Sequence, residues 1–97
     1  MELNFVQSGQ TFGGSAAYEA EFEVTSDFNI HIERPSGGRF LVYQRTSASE
    51  KYAVVDGVGY IDHKDVIDMD MTALVYPKYI RIVSESEPTM AVVTFNE

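Results

Sequence analysis

Strict alternation of apolar and acidic side chains is the feature of this sequence that most constrains its fold. In residues 18–24, YEAEFEV, a glutamate follows each of the first three apolar residues. Side chains of an extended strand point alternately to opposite faces of a sheet, so one face can be buried while the other is in water. A helix would spread the same apolar residues around its axis. We therefore predict a strand whose inward side chains are Tyr18, Ala20, Phe22 and Val24.

The two-residue period recurs along most of the chain and predicts an all-β fold. Seven further segments have strand character: residues 3–6, 28–33, 40–45, 52–55, 66–71, 79–83 and 89–95. Turn formers lie between them, notably Pro35-Ser36-Gly37-Gly38 and the hairpin pair Asp56-Gly57. About eight short strands without a helical period predict an antiparallel β-sandwich. We expect it to be jelly-roll-like in preference to immunoglobulin-like.

Length and charge restrict the class of function. A chain of 97 residues has room for one core, so we predict a single domain over residues 1–97. Fifteen acidic residues against seven basic ones give a net charge of −8, and a field of that sign repels phosphate backbones. A basic patch would have to come from Arg34, Arg39 and Arg45, around one predicted hairpin. We therefore expect no nucleic-acid binding.

Several other classes need residues or segments that the sequence lacks. There is no cysteine, which excludes disulfides, thiolate metal ligands and a cysteine nucleophile. No apolar run approaches the roughly 20 residues that span a bilayer, and the N-terminus has neither a basic nor a continuous apolar leader region. We therefore expect no membrane insertion and no signal peptide, and the cellular compartment stays unassigned.

An acidic cluster is the candidate metal site. Asp62, Asp65, Asp68 and Asp70 are closely spaced carboxylates, and oxygen ligands of this kind suit a hard cation such as calcium. Their spacing departs from the calcium-loop pattern, because the glycine and the closing glutamate are missing. In a strand, Asp68 and Asp70 share one face at a separation of roughly 6.5–7 Å. They therefore also fit solvent-facing residues or a carboxylate pair that hydrolyses glycosides.

Candidate catalytic residues are few. His31 and His63 are the only histidines, and neither has the spacing of a Ser-His-Asp arrangement. A zinc site would need carboxylates to complete its ligand set, since there is no cysteine. The glycine pairs at 13–14 and 37–38 do not lead into a helix that carries a lysine, so no phosphate-binding loop is predicted. We predict a protein that is not an enzyme and has no cofactor.

Tyrosines are the candidate ligand contacts. The chain has six tyrosines and no tryptophan, and tyrosine combines a large apolar ring with a polar group, as protein interfaces and sugar-binding surfaces require. Tyr52, Tyr60, Tyr76 and Tyr79 flank predicted loops. We take Tyr52, Tyr60 and Tyr76, together with Asp62, as the candidate ligand-binding residues.

One stretch late in the chain resembles a known family. Residues 76–83, YPKYIRIV, are similar to the late-strand pattern of galactose-binding-like jelly-roll modules, in which a proline and a basic or small residue precede Tyr-Ile-Arg-Ile. Residues 38–43 and the turn at 55–57 precede it in a compatible order, so the resemblance covers about the last 60 residues. It implies a jelly-roll fold for domains that recur as carbohydrate-binding modules and as appendage domains of phage virions. Tyr79 and Arg81 occupy the shared pattern, in which this strand is largely structural.

The expected function is a non-catalytic binding or assembly module. Its partner is another protein or further copies of the same chain, in a phage virion or at a cell surface. The alternative is a carbohydrate-binding module that uses loop tyrosines and carboxylates. A small hydrolase is the least favoured reading, because no catalytic constellation is visible.

Overall fold

Two antiparallel sheets packed face to face make up the part of the chain that the structure describes. The computed structural model describes residues 1–11, 14, 16–36, 38–55, 60–61, 65–72 and 76–95, with the backbone alone for Tyr60 and Ile61. These residues contain no helix, and both sheets bury one face in a common core. The predicted antiparallel β-sandwich is therefore confirmed. The preference for jelly-roll over immunoglobulin-like topology stays a prediction.

Nine strands lie within the described residues. They are β1 (Val6–Gln7), β2 (Tyr18–Val24), β3 (Phe28–Glu33), β4 (Phe40–Arg45), β5 (Ala53–Val54), β6 (Tyr60–Ile61), β7 (Val66–Met71), β8 (Lys78–Ser84) and β9 (Met90–Phe95). The first sheet has the order β1-β2-β8-β4-β5, with β6 also paired to β4. The second sheet has the order β7-β3-β9, so β3 is paired on both sides.

Alternate residues of β3 enter the core, as the alternation predicts, and most of the other long strands follow the same pattern. Phe28, Ile30 and Ile32 of β3 are buried, while Ile80 and Ile82 of β8 meet them from the other sheet. The remaining buried members of this core are Val24, Phe40, Val42, Ile67, Met71, Ala91 and Val93. Burial of one such side chain contributes roughly 1.5–3 kcal/mol, so the apolar stripes of the two sheets hold the sandwich together.

The predicted first strand over residues 3–6 is wrong. The N-terminal segment starts on the second sheet, where Glu2 bridges Val92 and the Leu3 amide donates a 2.9 Å hydrogen bond to the Ala91 carbonyl. It then crosses to the first sheet, where β1 pairs with the start of β2. Apolar alternation records which side chains are buried and not which sheet the backbone joins, so the sequence pattern could not reveal this change of partner.

Two predicted features between β4 and β7 differ from the structure or lie outside it. The strand predicted over 52–55 is shorter, since β5 is Ala53–Val54, although the Val55 amide also donates a 3.0 Å hydrogen bond to the Val42 carbonyl of β4. The structure adds the two-residue strand β6, which the sequence did not separate from its surroundings. The Asp56-Gly57 turn lies outside the described residues.

The three arginines considered as a basic patch do not form one. Arg34 is buried, 2% exposed, and its guanidinium donates a 2.8 Å hydrogen bond to the Gly38 carbonyl. Arg39 pairs with Glu85 at 3.0 Å. Arg45 lies between two tyrosine rings of the first sheet. All three cations interact with groups of the protein itself.

Candidate ligand-binding site

A pocket opens at the end of the second sheet, where β3 begins and β7 and β9 end. Its volume is about 310 Å³. The lining residues come from all three strands and their flanks: 27–29, 70–72 and 94–95. The strand register brings these segments together, because Phe28 lies opposite Met71 on one side and Phe95 on the other. Small-ligand pockets range over about 300–1,000 Å³, so this pocket has room for one side chain or one small molecule.

The pocket has apolar walls and acidic groups beside them. Phe28 and Met71 are almost fully buried, and Phe95 is partly buried. Asp27 and Asp70 are the acidic residues of the lining, and Asp70 lies on the outer face of the sheet, opposite to the face of Phe28 and Met71. No lysine, arginine or histidine is among the described lining residues. The pocket therefore combines an apolar interior with negative charge.

Asp27 is held in place by a tyrosine. The Tyr76 hydroxyl donates a 2.7 Å hydrogen bond to Asp27 Oδ1, and the Tyr76 ring packs against the core. This contact fixes one carboxylate oxygen of Asp27. A carboxylate has about four lone-pair positions, so Asp27 keeps capacity to accept a hydrogen bond from a ligand.

A chain of hydrogen bonds continues from the pocket along the outer face of the second sheet. We call it the polar ladder, and its members are Asp70, Asn29, Asp68, His31 and Glu33. The Asn29 amide donates to Asp68 Oδ1 at 2.6 Å and to Asp70 Oδ1 at 3.0 Å. His31 Nδ1 lies 2.9 Å from Asp68 Oδ2, and its Nε2 lies 2.8 Å from Glu33 Oε2. The ladder links β3 to the edge strand β7 through side chains as well as backbone.

Its electrostatics favour a positively charged His31. The hydrogen bond to Glu33, followed by that to Asp68, raises the pKa of His31 above its ordinary value. The Asn29 amide and the His31 ring lower the pKa of Asp68. Both ring nitrogens face carboxylate oxygens, and only the imidazolium can donate from both.

Apolar side chains lie beside the ladder on the same outer face. Cross-strand register places Val66 and Met90 on either side of Glu33, and Val92 beside His31. Val66 is 55% exposed and Met90 is 47% exposed. This face therefore offers apolar contact area interleaved with carboxylates, a mixture that suits the edge of a protein interface.

The outer face of the first sheet is partly covered by the chain itself. Arg81 Nε donates to Glu19 Oε2 at 3.0 Å, and Arg81 also donates to the side-chain oxygen of Gln10. Ser8 donates to Glu19 Oε1, and the Gln10 amide donates to the Tyr43 hydroxyl. These bonds hold residues 8–10 against the sheet.

A second cluster on the outer face of the first sheet contains Tyr52, one of the candidate ligand-binding residues. The Arg45 guanidinium lies 4.3 Å from the centre of the Tyr52 ring and 5.6 Å from that of Tyr79. The Tyr52 hydroxyl lies 3.5 Å from Glu21 Oε2. Contacts of this kind between a guanidinium and an aromatic ring contribute about 0.5–1 kcal/mol at exposed sites. One face of Tyr52 is thus occupied by Arg45.

The nominated ligand-binding residues have different surroundings. Tyr52 belongs to the outer face of the first sheet, whereas Tyr76 packs on the core beside Asp27. The backbone of Tyr60 pairs with Leu41, and Asp62 lies outside the described residues. Of the two whose side chains the structure describes, Tyr76 contacts a residue that lines the pocket, Asp27.

Two of the calcium candidates, Asp68 and Asp70, are joined through the side-chain amide of Asn29. Asp68 and Asp70 belong to the polar ladder, and Asp65 precedes β7 as an exposed residue. Within the described ranges, no three histidine or carboxylate side chains are arranged to hold a metal ion. A site that includes Asp62 stays a prediction.

Sequence reasoning missed the pocket and half of the ladder. The alternation places Asn29, His31 and Glu33 on the outer face, which the structure confirms, but it assigns them no partners. Asp27 was not among the candidate ligand-binding residues. The signal that would have found the site is the pairing of β3 with β7, which joins residues 39 positions apart.

Comparison of the chain with protein-family models, curated proteins and solved structures gives no match. Among the described residues, no helix has the length and apolar character needed to cross a membrane. The fold and site together define a class: an acidic β-sandwich domain with an apolar pocket beside a polar ladder.

Proposed function

We propose that this chain is a non-catalytic binding module that holds a protein partner through the pocket and the adjoining outer face of the second sheet. The observation that supports this most strongly is the pocket itself, which has buried apolar walls at the end of a sheet face. Interfaces concentrate their binding energy in a few side chains that fill such pockets, while surrounding contacts exclude water. Val66 and Met90 are exposed on the outer face at the opposite end of the sheet, beside Glu33, where they extend the apolar contact area of that face.

The arrangement of His31 supports a role without catalysis. Both of its ring nitrogens lie within 2.9 Å of carboxylate oxygens, and an imidazolium has no free lone pair. A general base needs such a lone pair within reach of the proton that it removes. In the polar ladder, His31 therefore acts as a link between strands.

Carbohydrate binding is the second candidate. Sugars are commonly held by carboxylate and amide groups beside an aromatic ring, and the pocket has Asp70 and Asn29 close to Phe28 and Phe95. A phage-virion or cell-surface setting is compatible with either ligand.

The test is a fragment screen read by the backbone amide spectrum of the isotope-labelled chain. The library contains neutral, cationic and anionic fragments and a panel of neutral oligosaccharides. We expect fragments to shift the amide signals of residues 27–29, 70–72 and 94–95. The variant Thr94→Trp adds a large ring at a lining position on the outer face, opposite Asn29, and should weaken those shifts while leaving the rest of the spectrum that of a folded protein. Shifts confined to the first sheet, or an absence of shifts with every fragment, would contradict the proposal. Pocket shifts with oligosaccharides alone would favour the second candidate.

A further inference from the structure

The hydrogen-bonding groups at the pocket select for a ligand that donates. Asn29 has one amide group with two hydrogens, and both are used on Asp68 and Asp70. The Tyr76 hydroxyl hydrogen is used on Asp27. The carboxylates keep spare acceptor positions, because each accepts more hydrogen bonds than these contacts supply. The groups that remain for a ligand are therefore mainly hydrogen-bond acceptors. An ammonium or guanidinium group donates several hydrogen bonds to such acceptors, whereas each sugar hydroxyl donates one.

The negative charge at the pocket also favours a cationic ligand. Asp27 and Asp70 are both carboxylates, and the described lining contains no cationic side chain to neutralise them. An anionic ligand would be repelled, and a neutral ligand would leave both charges without a counter-charge. A cation gains from both carboxylates.

The apolar walls add a requirement for shape. Phe28, Met71 and Phe95 line the interior, so the ligand must carry an apolar stem behind its charged group. Lysine and arginine have such stems, which pack along apolar surfaces while the charged end reaches a polar group. An aromatic ring within about 6 Å also attracts a cation.

We propose that the pocket binds the side chain of a lysine or arginine from a protein partner with a basic surface. This rests on the proposed function and names the chemistry of the partner. The outer face that adjoins the pocket fits such a partner, because Asp70 and Asp68 of the polar ladder carry two negative charges there against the single charge of His31. A second copy of this chain fits poorly, since each copy has a net charge of −8.

The experiment compares two probes with the same four-carbon stem. Nα-acetyl-lysine N-methylamide carries an ammonium group, and Nα-acetyl-norleucine N-methylamide lacks it. Each is titrated to about 10 mM, a concentration that detects millimolar affinity, while the pocket amides and the Met71 methyl signal are followed. We expect the lysine probe to bind at least about tenfold more tightly at low salt, with the preference shrinking at about 0.5 M sodium chloride.

Two substitutions test whether the pocket carboxylates cause the preference for the lysine probe. Asp70→Asn and Asp27→Asn should each reduce the preference for the lysine probe at least threefold or so. The control Asp65→Asn makes the same change of charge outside the pocket lining and should leave the preference unchanged. Equal effects of all three variants would show that the preference comes from the overall negative charge of the protein. That result would overturn its assignment to the pocket carboxylates.

The outcomes separate this inference from the proposed function. If the norleucine probe shifts the pocket signals at the same concentrations as the lysine probe, the pocket binds apolar side chains. The cationic ligand is then wrong and the binding module stands. If neither probe shifts the pocket and the fragment screen is also silent there, both proposals are wrong.

Discussion

His31 shows how one side chain couples the stability of the second sheet to pH. Its ring bridges a carboxylate of the neighbouring strand, Asp68, and one of its own strand, Glu33. The pKa of His31 is raised by these contacts, so the charged ring is favoured in the folded state. The resulting stabilisation is complete below the ordinary histidine pKa of about 6.5 and disappears as the pH rises through the higher folded-state value.

We predict that His31 titrates above about 6.5 in the folded protein and that Asp68→Asn brings its pKa back toward that value. The ring signals of His31 in a pH titration followed by nuclear magnetic resonance measure this. The free energy of unfolding of the wild type, relative to His31→Gln, should fall as the pH rises from about 6.5 through the folded-state pKa of His31. A folded-state pKa at or below the ordinary value would contradict the bridged geometry.

Asp68 limits the same stabilisation on the acidic side. Its pKa is lowered, first by the Asn29 amide and then by His31. Its contribution is therefore present above the ordinary aspartate pKa of about 3.9 and is lost as the pH falls through the lower folded-state value. The stabilisation from both groups is therefore complete between about pH 3.9 and about pH 6.5, the ordinary pKa values of aspartate and histidine.

Gly38 is a residue whose backbone requires glycine. Its φ is +87°, and a Cβ there would lie 2.9 Å from Glu85 Oε1. That oxygen also accepts a 2.9 Å hydrogen bond from the Arg39 amide, so moving it breaks a contact. We predict that Gly38→Ala lowers the free energy of unfolding by about 2–3 kcal/mol in urea denaturation.

The matched control for that substitution is Gly14→Ala. Gly14 has a similar φ of +90° but nothing within 4 Å of the added Cβ. Gly14→Ala should therefore lower the free energy of unfolding by the backbone contribution alone, about 1 kcal/mol. Equal losses at the two positions would show that the contact with Glu85 has no energetic effect.

Among the elements, the segment of residues 8–10 depends on one strand residue. Arg81 of β8 binds Glu19 and Gln10 together, and it is 17% exposed. We predict that Arg81→Met lowers the free energy of unfolding by about 2 kcal/mol, because a partly buried carboxylate loses its partner. Urea denaturation measures the loss. The control Glu21→Gln, which changes a half-exposed group 4.0 Å from Arg81, should cost less than about 0.5 kcal/mol. A loss with Arg81→Met no larger than that of the control would contradict this role.

Individual strands were predictable from the sequence, and their partners were not. The alternation in β2 and β3 places Ala20, Val24 and Ile30 inside because burial follows the side-chain period directly. The N-terminal segment was assigned wrongly because Leu3 joins β9 and Val6 joins β2, which depends on chain-wide packing.

The candidate site was predictable only in part, for the same physical reason. The sequence singled out Asp68 and Asp70 as neighbouring carboxylates on one face. Their actual partners, Asn29 and His31, belong to a distant strand, and a hydrogen bond between distant strands leaves no local pattern. Tyr52 was nominated for its aromatic ring, but Arg45 already lies over it.

For the whole molecule, the net charge of −8 sets its association behaviour. Two copies repel one another at low ionic strength, and the repulsion weakens as salt shortens the Debye length from about 30 Å at 0.01 M to about 8 Å at 0.15 M. We predict that the isolated chain is a monomer by light scattering at low salt. A stable dimer in which the polar ladder is protected would contradict the proposal of a basic partner and would favour self-assembly.

The pocket exists only if β3 lies between β7 and β9 in the observed register. Nuclear Overhauser contacts from the Phe28 ring to the Met71 methyl group on one side and to the Phe95 ring on the other measure this pairing directly. We predict both contacts. A shift of β7 by one residue would turn Met71 to the opposite face of the sheet, and the absence of either contact would contradict the site on which the proposed function depends.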